Sequence, residues 1–78
     1  MSGLRKRSLA LAGHRTSLAL EPEFWSVLEA LARARSLSLA GLVARLDAER
    51  GARPLASACR LAALAYAGDQ GAGEPGAQ

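Results

Sequence analysis

The sequence of 78 residues is poor in the residue types that build chemistry: it has one cysteine, one histidine, and one each of phenylalanine, tryptophan and tyrosine. Cys59 has no intrachain disulfide partner, and Cys59 with His14 is too small a set to hold zinc. No paired acid and base, no nucleophile with a partner and no metal cluster can be assembled from this inventory, so neither enzymatic activity nor a cofactor is expected. No apolar run reaches the roughly 18 residues that span a bilayer, and the start lacks an apolar signal core with a cleavage site. No membrane partner is expected, and the expected location is the cytoplasm, in association with the nucleoid. Acidic residues are also missing from the start. Arg5, Lys6, Arg7 and Arg15 all precede the first of them, Glu21, and make a basic block suited to a polyanion, although a short basic run is as often an ordinary solvated terminus.

What is abundant is alanine and leucine, within a composition that is 50% hydrophobic, and this favours helix. A chain this short buries only about 60% of its unfolded surface when it folds alone. With disulfide and metal excluded, oligomerisation is the remaining way to enlarge the core.

Along Arg15-Thr16-Ser17-Leu18-Ala19-Leu20 the pattern alternates. Thr16, Leu18 and Leu20 share one face, and Arg15, Ser17 and Ala19 the other, as in a half-buried strand. Glu21-Pro22 ends it, proline being suited to a first helical turn. From Pro22 to about Arg35, the spacing of Phe24, Val27, Leu28 and Leu31 predicts an amphipathic helix, with Trp25 off the stripe, at its rim or against a partner subunit. Ser36-Leu37-Ser38 interrupts, and Ser38 is the expected N-cap of a second helix carrying Leu39, Leu42, Val43 and Leu46, closed by Gly51. Leu55 to Ala67 is apolar over most of its circumference, which predicts a largely buried third helix with an inert Cys59. The organisation expected is a basic N-terminal arm over 1–14, a core over 15–51, an additional helix over 52–67 and a disordered tail over 68–78.

Ser8-Leu9-Ala10-Leu11 nearly duplicates Ser17-Leu18-Ala19-Leu20 across Gly13-His14. An intrachain hairpin is one reading. The preferred one is an irregular or extended arm over residues 4–13, because only the second copy runs directly into the helices. A single strand leaves its backbone groups unpaired, so a partner strand is required. A two-fold axis would supply it by pairing residues 15–20 with the same residues of a second chain.

Strand, helix, short serine-containing turn and helix over Arg15 to about Gly51 resemble the ribbon-helix-helix DNA-binding fold, the class that includes Arc and MetJ. Gly13-His14-Arg15-Thr16-Ser17, followed by Leu20-Glu21 and Phe24-Trp25, further resembles a bacterial subfamily of short, stand-alone members. The resemblance implies a mostly α fold with one short β-strand, an intertwined homodimer with an intersubunit two-stranded antiparallel ribbon, and an extra C-terminal helix. It implies duplex DNA as partner, with Arg15, Ser17 and Ala19 meeting base edges in the major groove, where arginine forks onto guanine. Ala19 departs from the usual polar residue and offers only an apolar contact. Backbone N–H groups around Ser38, Leu39 and Ala40 would bind a phosphate, with Gly41 leaving room, and Arg5, Lys6 and Arg7 would add phosphate contacts from the arm. The function implied is a sequence-specific transcriptional regulator acting as a repressor. Two other readings stay open: an antitoxin or adaptor that binds an unidentified protein through the third helix, and a sensor of an anionic nucleotide.

Overall fold

The duplicated alternation at the start of the chain folds back on itself as a hairpin. The computed structural model describes residues 3–72, with strands β1 (Arg5–Leu11) and β2 (His14–Leu20), then helices α1 (Pro22–Ala34), α2 (Leu39–Glu49) and α3 (Leu55–Ala67), and one π-helical turn at Gly68–Ala72. Ala12 and Gly13 form the two-residue turn with φ of +42° and +90°. Two positive φ values in succession give a turn whose twist matches that of the flanking strands, and Gly13 adopts its value without a steric cost.

The strands pair antiparallel, Ser8 opposite Ser17, Leu9 opposite Thr16 and Arg5 opposite Leu20. Leu9, Leu11, Leu18 and Leu20 are buried on one face of this ribbon, and slipping the register by one residue would turn a strand's leucines to water. The arm expected over residues 4–13 is therefore strand β1 for most of its length, and the described residues hold two strands where one was expected. The partner that β2 requires comes from the same chain, where two turn residues close the loop at the smallest entropic cost, rather than from the intersubunit pairing anticipated. An extended arm would also have left Leu9 and Leu11 in water.

Helix α1 starts at Pro22, and the Glu21 carbonyl accepts from the N–H groups of Phe24 at 2.9 Å and Trp25 at 3.2 Å. Its buried residues are Trp25, Leu28, Leu31 and Ala32, whereas Phe24 and Val27 are half-buried. The inward stripe is thus turned from the one expected, and Trp25, assigned to the rim or a partner, is only 2% exposed within its own chain. Strand β1 accounts for the shift. The Trp25 indole N–H donates to the Arg5 carbonyl at 2.8 Å, and the Arg7 guanidinium lies 4.8 Å from the ring centroid while donating to Glu29 at 2.7 Å.

The α1 to α2 connection is closed at both ends by local hydrogen bonds. Leu37 N–H donates to the Ala32 carbonyl and Ser36 N–H to that of Arg33, with Ser36 at φ +58°, the arrangement that usually carries glycine at this position. Ser38 then caps α2 as expected, its Oγ accepting from Gly41 N–H at 2.9 Å. Leu42 and Val43 face the core, and Gly51, at φ +62°, follows the helix end.

Helix α3 buries Cys59 and Ala63 but leaves Leu61 47% and Leu64 58% exposed, so it is buried on one side rather than largely. Arg60 ties it to the β2–α1 junction, reaching Glu21 at 2.9 Å and lying over the Phe24 ring at 5.7 Å. Of the tail expected over 68–78, residues 68–72 form the π-helical turn and 73–78 lie outside the described residues. All five main elements contribute to one core of buried apolar side chains, which contains no charged group among the described residues.

Two consequences are measurable. A non-glycine residue in the left-handed region costs about 1–2 kcal/mol, part of which glycine returns as chain entropy, so Ser36→Gly should stabilise the protein by about 0.5–1 kcal/mol. A higher urea midpoint at unchanged slope is the expected result. Burial away from water pushes the Cys59 thiol up to about 11 from 9.0, against the opposing pull of Arg60. The folded chain therefore holds a proton that the unfolded chain releases, and stability should fall as pH rises from about 9 through about 11. Alkylation at pH 8 should label Cys59 only in denaturant; rapid labelling of the native protein would contradict its burial.

Candidate nucleic-acid interface

The face of the ribbon opposite the leucines carries Lys6, Ser8 and Ala10 from β1 and Arg15, Ser17 and Ala19 from β2. All are exposed except Ala19, which is half-buried. The Arg15 guanidinium leans along this face toward Ser8, whose Oγ accepts from it at 3.5 Å, a contact long enough to be surrendered readily. Among the described residues neither Lys6 nor Arg15 is in an ion pair, and the face contains no acidic residue. Positive charge, two hydroxyls and two methyl groups thus stand on a ribbon two strands wide, a shape that the major groove of duplex DNA admits.

The three cations expected on a free arm separate once the arm becomes a strand. Lys6 points outward with Arg15. Arg5 and Arg7 alternate to the helical side, where the Arg5 carbonyl receives the Trp25 indole and the Arg7 side chain is held by Glu29 and Trp25. Arg7 accordingly has a packing role that the arm assignment lacked. Ser8 and Ala10 join the outward face without having been singled out in the sequence. The signal for them was the repeated Ser-Leu-Ala-Leu, which requires the same inward and outward alternation in both copies.

At the start of α2, Ser38 is exposed and its cap occupies Gly41 N–H, while the N–H groups of Leu39 and Ala40 have no partner within the helix. A Cβ at Gly41 would lie 3.1 Å from Ser38 Oγ, so glycine here makes room for the cap itself. At the end of β2, the Arg60 guanidinium bonded to Glu21 holds that carboxyl below its usual range. This holds the Glu21 side chain toward α3.

Two surface hollows lie between α2 and its neighbours, one of them lined by Leu46, Glu49, Arg50, Arg53, Ala58 and Leu61, and neither includes a ribbon residue. Arg50 in that hollow is already bonded to Asp47 and to the Arg53 carbonyl. Among the described residues no group of three or more His, Cys, Asp or Glu could hold a metal ion, and no helix is long and apolar enough to cross a membrane.

No curated protein and no solved structure matches the chain. A family model described as a ribbon-helix-helix domain matches residues 4–67, a span that takes in the hairpin and all three helices. Members of this family are in general DNA-binding regulators without enzymatic activity. The chain belongs to the ribbon-helix-helix domain family.

Proposed function

We propose that the protein is a homodimeric, sequence-specific transcriptional regulator, acting as a repressor, that inserts its ribbon into the major groove of duplex DNA. The observation that carries this reading is the outward ribbon face, where Arg15 and Lys6, in no ion pair among the described residues, stand beside Ser8 and Ser17 with no acid on the face. Arg15 donates two hydrogen bonds to guanine O6 and N7, Ser17 bonds to a neighbouring base edge, and Ala19 meets a thymine methyl. The N–H groups of Leu39 and Ala40, behind the Ser38 cap, take a backbone phosphate and fix the register, and Arg5 adds charge at the ribbon end. Arg7 contributes through the placement of β1 on Trp25 rather than as a mobile cation. Pairing of two copies is supported by the family, which generally binds DNA as dimers, and by the exposed Leu61 and Leu64 on α3.

Selection of bound fragments from a random duplex pool, at one fixed salt concentration, tests the assignment. Wild-type protein should enrich a motif, and Arg15→Ala should bind that motif more weakly by roughly 1–3 kcal/mol and with relaxed preference at one position. Unchanged affinity and preference in Arg15→Ala would overturn the role given to this residue. Sedimentation equilibrium should return twice the 8.1 kDa chain mass; a monomer at high micromolar concentration would overturn the dimer.

A further inference from the structure

The outward face of the ribbon is internally symmetric. Strand β1 reads Arg-Lys-Arg-Ser-Leu-Ala-Leu and β2 reads His-Arg-Thr-Ser-Leu-Ala-Leu, and the two align position by position at an offset of nine residues. The observed register places Ser8 opposite Ser17 at the centre, Lys6 opposite Ala19 at one end and Ala10 opposite Arg15 at the other. A two-fold axis normal to the sheet between the two serines therefore exchanges Lys6 with Arg15, Ser8 with Ser17 and Ala10 with Ala19.

On the inner face the same axis exchanges Leu9 with Leu18 and Leu11 with Leu20, but it fails at Arg7 against Thr16 and at Arg5 against His14. Those are the positions where one chain's helices make unlike demands. Arg7 meets Glu29 and Trp25, and the Arg5 carbonyl takes the indole N–H. Symmetry is thus broken where packing requires it and kept on the exposed side, where packing requires nothing of Lys6, Ser8 or Ala10. A repeated cation, serine and alanine on that side matches the near-dyad symmetry of the edges of a DNA duplex.

We infer that each chain carries a complete pseudo-two-fold reading head, in which Lys6 determines specificity in the same way as Arg15, at the opposite end of one short element and on the opposite DNA strand. The inference rests on the DNA-binding function proposed above. Lys6 and Arg15 stand four residues apart along the ribbon, about 13 Å at about 3.3 Å per residue. With base pairs spaced about 3.4 Å apart, the two guanines that accept from them lie about four base pairs apart. Ser8 and Ser17 fall over the middle of the element. A ribbon two strands wide suits a groove about 12 Å across; a four-stranded sheet, with about 4.8 Å between strands, would not fit it. Each copy in a dimer accordingly brings its own head to its own stretch of groove.

Selection from the random duplex pool with wild type, Lys6→Ala, Arg15→Ala and Lys6→Arg tests this. All three side-chain changes are on the exposed face, and circular dichroism of each variant should overlay that of the wild type. Wild type should enrich an element with a guanine preference at both ends, on opposite strands, about four base pairs apart by the spacing above. Lys6→Ala should lose the preference at one end alone and Arg15→Ala at the other, each binding the selected element on the order of 10-fold more weakly, and Lys6→Arg should keep both ends. A Lys6→Ala variant that binds selected and unselected duplexes equally more weakly, with its enriched element unchanged, would overturn the inference and leave the DNA-binding function standing. A folded wild type that enriches nothing would overturn both.

Discussion

The ladder between β1 and β2 is the contact on which the rest of the chain depends. Neither strand satisfies its backbone groups alone, and the pairing brings four leucines onto one face as the floor of the core. It also places the Arg5 carbonyl where the Trp25 indole N–H needs an acceptor, so that the largest side chain in the molecule is buried without an unsatisfied donor. Orientation of α1 follows from that burial, since the ribbon draws Trp25 inward and leaves Phe24 partly exposed under Arg60. The ion pairs that flank this arrangement, Arg7 with Glu29 and Arg60 with Glu21, are partly solvated and screened, so they add little to stability. They set direction more than stability.

The helical half is positioned by its ends. Ser36 in the left-handed region and Ser38 as N-cap turn the chain within a few residues, so α1 and α2 pack on the same side of the ribbon. Helix α3 returns to the β2–α1 junction through Arg60 and closes the core with Cys59 and Ala63. The outward face of the ribbon is consequently backed by a continuous apolar core, and its six outward side chains are held on paired strands rather than on a loop.

Alternation over residues 15–20, the 3.6-residue spacing of α1 and α2, the Ser38 cap and the Gly51 stop were all legible in the sequence, because each is a local pattern with a local cause. The outward placement of Arg15, Ser17 and Ala19 followed from the strand period alone. What was misjudged depended on contacts distant in sequence. Whether Ser8-Leu9-Ala10-Leu11 formed an arm or a strand turned on the competition between an intrachain and an interchain partner, and Ala12-Gly13 is a weaker hairpin signal than Asn-Gly or Asp-Gly. Once β1 was misplaced, Trp25 lost its cover and was assigned to the rim, and Arg7 lost Glu29 and was assigned to solvent. The exposure of Leu61 and Leu64 was hidden by a helix apolar on nearly every side, which has no periodicity to say which side is covered.

The two-residue turn at Ala12 and Gly13 also makes the ribbon a unimolecular object. Strands joined by so short a tether meet at a high effective concentration that does not change when the protein is diluted, and hairpins of this kind form in about 1–10 μs. A ribbon shared between two chains would dissolve whenever its subunits part. Here the surface presented outward would outlast the dissociation of any dimer, because its shape is set at the moment its own chain folds.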